Sequence, residues 1–370
     1  MESTHPGDDE LFLTDTPADR APLQVSEESA RPVPPQPGLP ASIGLALLTL
    51  VGQTLLAIGA VTIMLQVDTF VDAQELDAFV GQLWFAASTL ATLLISLVIG
   101  GLMHGRQLAR RLGFRSLAPA QGIALLVFVP ALGIVVAEVT NIAAEVLHLW
   151  LPEWMGHLAE QQGRTLKTLA RHPLVLMLLA GCVFPGLGEE ILCRGIMSRG
   201  LLARYGTVMG TLWTALVFGA MHVEPVQSLG ACLLGIGLQY AYLRTRSIVA
   251  PVAAHIANNT FALLLLRYQD RFSIPGLSTL PGQHTSHTPL PLFLLGAVGL
   301  GISVYWLHVT RTLWRLPDGR EWTPVWPSAE SPPAASGAFA TNATCSVRAW
   351  LGALIWWGAL LACSVWFAGS

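Results

Sequence analysis

The sequence predicts an all-α fold, a polytopic bundle of about eight or nine transmembrane helices with a disordered N-terminal tail. Composition is the first reason. Of the 370 residues 53% are hydrophobic and 12% charged, and the mean hydropathy of +0.56 lies beyond the range of water-soluble globular chains. The second reason is a set of apolar runs at 43–66, 79–103, 123–147, 290–309 and 349–367. Each is near the ~20 residues that a helix rising ~1.5 Å per residue needs to cross ~30 Å of hydrocarbon. Only the run at 123–147 holds charges, Glu138 and Glu145. The third reason is the block 172–266, apolar throughout but interrupted by Arg194, Arg199, Arg204, Arg244, Arg246 and the Glu224-Pro225 step. It reads as four helices at about 174–203, 207–223, 226–243 and 248–266, which brings the expected total to nine.

The segments between the runs divide the chain further. Residues 1–41 are acidic and rich in proline, too poor in apolar surface to fold, and predict a disordered cytoplasmic tail. They do not resemble a secretory signal, because the first apolar run starts beyond residue 40. Residues 42–172 predict transmembrane helices followed by an interfacial helix at 149–171, where Trp150, Trp154, Leu158, Leu166 and Leu169 alternate with charges. A polar-bearing helix block follows at 173–267, then a loop and helix at 268–315, a flexible Pro/Ala/Ser-rich linker at 316–346 and a last helix at 347–370.

Charge and cysteine usage exclude several functions. With 20 Lys+Arg against 23 Asp+Glu the net charge is −3, so nothing argues for nucleic acid as a partner. Five scattered cysteines without a Cys-x-x-Cys pair argue against a disulfide framework, a thiolate zinc site and dithiol redox chemistry. There is also no His-Glu-x-x-His, no Gly-x-Ser-x-Gly and no pair of membrane aspartates, which removes the zincin, serine and aspartyl routes to proteolysis.

Ionisable groups inside a span cost roughly 2.5–3.5 kcal/mol each on insertion scales, so a cluster of them marks a site. Such a cluster lies in the central block: Glu189, Glu190 and Arg194 on one helix, Phe218 and His222 on the next, and His255 and Asn259 on a third. Glu190 and Arg194 are i and i+4, close enough on one face to pair, whereas Glu189 points about 100° away. His255 and Asn259 share a face by the same spacing, as do Phe218 and His222. Counted from the arginine-marked boundary, Glu189, His222 and His255 lie at depths of about 22, 22 and 14 Å, compatible with one layer.

The three motifs Glu-Glu-x-x-x-Arg, Phe-x-x-x-His and His-x-x-x-Asn, in this order on successive hydrophobic segments, resemble the CPBP family of intramembrane proteases, which includes the CAAX prenyl endopeptidases of the Ras-converting type and the bacterial Abi proteins. The resemblance covers about 174–266, making 173–267 a CPBP-like catalytic bundle. It implies an intramembrane endopeptidase, with Glu189 as general base on water, His222, His255 and Asn259 orienting the water and stabilising the oxyanion, and Glu190 and Arg194 holding the site in shape. It also implies a membrane-anchored protein or peptide as substrate, cut near its membrane-associated end; a prenylated tail, a peptide signal or a C-terminal sorting anchor would each qualify. The cofactor is expected to be either none or a divalent metal, zinc among them, in which case Glu189, His222 and His255 would be the ligands.

Two other readings use the same residues. A membrane scaffold or immunity module would keep them only to satisfy one another in the core. A transporter would line a proton or ion path with them, together with Glu138, Asn141 and Glu145, and would show matching broken helices in two halves. Pro185 before the glutamates has no such counterpart.

Threading nine spans with the N-terminus inside places fourteen arginines on the inner side and five basic residues on the outer. Short cytoplasmic loops are enriched in Lys and Arg, so the expected location is a bacterial inner membrane with a cytoplasmic N-terminus and an outer C-terminus. Reporter fusions at Arg20 and after Ser370 should therefore give opposite signals. The same signal at both ends would mean an even number of crossings.

Overall fold

The structure is a computed structural model that describes residues 33–66, 73–150, 153–278, 286–342 and 347–368. The tail expected over 1–41 lies outside these residues as far as position 32. The helices are α1 (Leu39–Leu65), α2 (Ala73–His104), α3 (Leu108–Leu112), α4 (Pro119–His148), α5 (Glu153–Arg171), α6 (Leu174–Leu178), α7 (Phe184–Glu190), α8 (Ser198–Ala220), α9 (Pro225–Thr245), α10 (Val249–Arg267), α11 (Leu290–Val309) and α12 (Val347–Ala368). Among the described residues eight stretches are long and apolar enough to cross a membrane: α1, α2 with α3, α4, the run from α6 to α8, α9, α10, α11 and α12. The fold is thus the expected helical membrane bundle.

The two helices expected at 174–203 and 207–223 form one helical run, Leu174–Ala220, but not a straight one. At Gly206 the backbone has φ +74° and ψ 179°, a conformation essentially restricted to glycine. The chain doubles back there. Arg194 Cζ lies 4.8 Å from the centroid of the Phe218 ring, although both residues are twelve positions from Gly206 and an unbroken helix would hold them ~36 Å apart. Gly210 lets the returning arm approach closely, since a Cβ there would sit 2.7 Å from Leu202 Cα.

The outer helices invert the pattern of a soluble protein. On α1 the buried residues are Ser42, Ala46, Thr49 and Ala57, while Leu47, Leu48, Val51, Leu55 and Leu56 are exposed. On α11 Gly296, Gly299 and Ser303 are buried between Leu292 and Leu307 at its two ends, while Leu294, Val298 and Ile302 are exposed. Large apolar side chains outside and small ones at the helix contacts suit hydrocarbon as solvent, where packing rather than water exclusion brings helices together. α4 is the hub, carrying Ile123, Val127, Ala131 and Ile134 into one core cluster with α11 and α12, and Ala124, Phe128 and Leu132 into another with α9 and α10. α5 packs Leu169 and Ala170 against Met177, Cys182 and Leu263.

The expectation of a flexible linker at 316–346 is corrected over its described part, 316–342. This segment and the residues before it form a small antiparallel sheet, order β2-β1-β3, from β1 (Leu313–Arg315), β2 (Glu321–Trp322) and β3 (Phe339–Thr341). Proline-rich composition excludes a helix there, but the strand edges and side chains still find partners. Glu330 accepts from Arg110 Nη1 at 2.7 Å and Arg199 Nη2 at 2.8 Å, and the backbone N–H of Ser331 donates to the Arg110 carbonyl at 3.3 Å. Thr312 donates from its backbone to the Arg244 carbonyl at 2.9 Å, and Gln121 Nε2 to the Thr310 carbonyl at 2.8 Å. Arg115 donates to the Thr245 carbonyl and to Thr312 Oγ1. Burial, with Arg246 nearby, pulls the Arg115 guanidinium down to about 10, so it stays charged at neutral pH. The sheet therefore sits where α3 and the arginine-bearing ends of α8, α9 and α11 meet.

A second long-range contact pins the chain just before α11. His287 Nδ1 lies 2.8 Å from Glu138 Oε1 and its Nε2 3.0 Å from Glu145 Oε1, while the Thr288 N–H donates to Glu138 Oε2 at 2.7 Å. Hydrogen bonds to the two carboxylates raise the His287 pKa above its usual value. The imidazolium contribution is therefore complete below the unfolded pKa of ~6.5 and lost as pH rises through the higher folded value. Hydrogen-exchange protection at Thr288, corrected for intrinsic rate, should fall across that upper window and become pH-independent in His287→Gln. Equal pH dependence in the variant would contradict the linkage.

Candidate active site

α7 carries both central glutamates and is held by close backbone approach on two sides. A Cβ at Gly188 would lie 2.7 Å from Leu93 N on α2, and one at Gly186 would lie 2.5 Å from Ile256 Cγ1 on α10. The helix is irregular at both ends: Leu179–Val183 before it and Ile191–Met197 after it are π-helical. Pro185 cannot donate a backbone N–H, so the wider turn preceding it falls where the regular ladder is already broken. π segments concentrate at functional sites, and here two of them flank the Glu189-Glu190 pair.

Glu190 is completely buried, as is Arg194. Arg194 Nη1 donates to Glu190 Oε1 at 2.8 Å, Nη2 donates to the Gly235 carbonyl of α9 at 2.8 Å, and Phe218 covers the guanidinium at 4.8 Å. His255 Nδ1 lies 2.8 Å from the same Oε1 of Glu190. A carboxylate oxygen can only accept from these partners, so Nδ1 is the protonated nitrogen and Nε2 is turned to the other side. On that other side stands Glu189, its Oε2 3.9 Å from His255 Nε2. This Oε2 is buried and makes no hydrogen bond, although the side chain as a whole keeps 17% of its exposure.

The remaining candidates lie around this core. His222 is half-buried at the end of α8, its Nδ1 3.0 Å from the Phe218 carbonyl, and its ring packs edge-on against Phe218 at 5.1 Å. The same Phe218 ring meets His255 at 6.0 Å, so one phenyl group touches both imidazoles and the arginine. Asn259 faces elsewhere than its i−4 neighbour: its Nδ2 donates to the Gly181 carbonyl at 3.2 Å and its Oδ1 accepts from Asn258 Nδ2 at 3.4 Å. Direct contacts therefore join Glu189, Glu190, Arg194 and His255, Phe218 joins His222 to them, and Asn259 attaches through the backbone of the first π segment.

Two features of the site had no signal in the motifs, the Gly235 carbonyl that completes the Arg194 environment and the π segments. Glu138 and Asn141, which the transporter reading adds to this cluster, have other partners: Glu138 pairs with His287, and the Asn141 amide donates to the Gly276 carbonyl at 2.9 Å. Nor do the expected zinc ligands Glu189, His222 and His255 fit a metal as arranged. Among the described residues no three His, Cys, Asp or Glu side chains converge as a metal ion would require.

Comparison with known proteins addresses this same part of the chain. Residues 171–261 match the family described as type II CAAX prenyl endopeptidase Rce1-like. A curated protein of Bacillus subtilis (strain 168), "Putative membrane peptidase YdiL", is 27% identical over 90 residues, which are 24% of this chain; the chain spans 37% of the length of that relative. No solved structure matches. The matched residues run from the end of α5 into α10 and contain every residue of the buried cluster. By motif and by family match, residues 171–261 of this chain are similar to the Rce1-like type II CAAX prenyl endopeptidase family.

Proposed function

We propose that the chain is an intramembrane endopeptidase that cleaves a peptide bond near the membrane-associated end of a membrane-anchored protein or peptide, from a bacterial inner membrane with its N-terminus in the cytoplasm. The observation that carries this reading is the contrast between the two adjacent glutamates. Glu190 is completely buried with its Oε1 shared between Arg194 and His255, whereas Glu189 stands outside that pairing, keeps 17% of its side-chain exposure and lies 3.9 Å from His255 Nε2. An uncommitted carboxylate in a largely dry setting is suited to take a proton from water.

In the reaction the water oxygen attacks the scissile carbonyl carbon while Glu189 takes its proton. The same carboxyl group then returns that proton to the amine nitrogen as the C–N bond breaks, so acid and base are one residue used twice. Glu190 holds His255 by Nδ1, the role of an orienting carboxylate, and leaves Nε2 directed at the water. His222 keeps Nε2 for the water or the substrate, since its Nδ1 is engaged by the Phe218 carbonyl. Asn259 retains a second amide N–H with which to polarise the carbonyl oxygen.

The purified full-length chain, incubated in detergent with a panel of membrane-anchored substrates, should cleave at least one. In Glu189→Gln turnover should fall by about 10²–10⁴ with an unchanged melting temperature, because the amide cannot accept the proton and the lost oxygen made no hydrogen bond. Undiminished cleavage would remove Glu189 from this role; a biological phenotype that survives the substitution would favour the scaffold. Arg194→Ala should behave differently. It leaves Glu190 buried without its main partner, a loss of about 3–5 kcal/mol, and should appear as poor expression and a lowered melting temperature rather than as clean inactivity.

A further inference from the structure

We propose that the cavity between α3, the start of α8 and the segment 322–333 binds a phosphate group. The cavity has a volume of about 310 Å³ and is lined by Arg110, Arg199, Trp322, Trp326 and Glu330, with Pro35 at its edge. That volume is at the lower end of small-ligand sites, ~300–1,000 Å³.

The charges in it are unequal. Arg199 retains only 9% of its side-chain exposure, and of its three nitrogens only Nη2 has an acceptor, Glu330 Oε2 at 2.8 Å. Its Nε and Nη1 are buried with no hydrogen-bond partner. Glu330 cannot serve them, because its other oxygen is taken by Arg110 Nη1 at 2.7 Å. Two guanidinium groups therefore line the cavity against one carboxylate. Buried donors without acceptors are rare in folded proteins, and a guanidinium with free N–H groups matches an anion bearing several oxygens, phosphate above all. Trp322 and Trp326 make the remaining wall apolar at one end and hydrogen-bonding at the other, which suits a phosphate that is either free or esterified to a lipid. The site does not depend on the peptidase reading, since none of its residues belongs to the buried Glu/His cluster.

The test uses the delipidated full-length chain in detergent, with inorganic phosphate followed by titration calorimetry, and phosphatidylglycerol followed by native mass spectrometry against diacylglycerol as the phosphate-free control. At least one phosphate probe should bind one to one and diacylglycerol should not. Binding of phosphatidylglycerol alone identifies a lipid headgroup, binding of inorganic phosphate alone a soluble anion, and binding of both the phosphate group itself. Arg199→Gln should weaken binding by about tenfold or more, and Glu330→Gln should tighten it, because the competing carboxylate is gone and both cations remain. If Arg199→Gln does not fold, Arg110→Gln tests the same loss. Absence of binding by both phosphate probes, affinity unchanged in the arginine variants, or affinity weakened in Glu330→Gln would each overturn the proposal.

Discussion

The carboxylate of Glu190, stripped entirely of water, is the constraint on which the site is built. Taking such a group out of water costs several kcal/mol even after relaxation, and the attraction of a single partner barely offsets it. The fold answers by bringing two donors to one oxygen, Arg194 from the next turn and His255 from α10. Arg194 then has its own demands, met by the Gly235 carbonyl on α9 and the Phe218 ring on the returning arm of α8. Four helical segments are thereby fixed relative to one another by one charge. The reversal at Gly206 is part of the same logic, since without it Phe218 could not reach the guanidinium.

Much of this was legible in the sequence, and the physical reason is locality. The pair Glu190 and Arg194 follows from helical spacing, and charge-poor apolar runs reveal the spans because nothing else crosses ~30 Å of hydrocarbon. What was not legible depends on residues far apart in the chain. Glu138 meets His287 across 149 positions, and Glu330 meets Arg110 across 220. The segment at 316–342 looked flexible because proline and serine report only on local preference, whereas its order comes from contacts with α3 and α8. The π segments were hidden for the opposite reason: regular spacing describes a helix of constant pitch, and the widened turns at 179–183 and 191–197 depart from it. Asn259 shows the limit of spacing in another way. It shares a helical face with His255, yet its amide is drawn to a backbone carbonyl that the π turn at Gly181 presents.

The bilayer shapes the interior as much as the surface. With hydrocarbon rather than water around the bundle, water exclusion adds little to helix association, and glycine, alanine and serine let the backbones approach where the helices touch most closely. That close approach is what lets α7 lie against α2 at Gly188 and against α10 at Gly186. A larger residue at either position would push the glutamates away from His255. The small residues of the domain are thus as much a part of the site as its charges.

Placing two carboxylates side by side on one helix would be wasteful if both met the same surroundings. Because successive helical residues point about 100° apart, they need not. One carboxylate turns inward and becomes structural, its charge matched and its position fixed. The other turns toward the partly open side, with one oxygen unbonded and the second nitrogen of the same histidine before it. His255 lies between the two, gripped through Nδ1 and presented through Nε2. Any substitution that frees Nδ1 also lets Nε2 swing, so the buried glutamate governs the orientation of the histidine that faces its neighbour. Separate environments for adjacent acids are how a protein assigns them different work, and here the helix geometry alone accomplishes the separation.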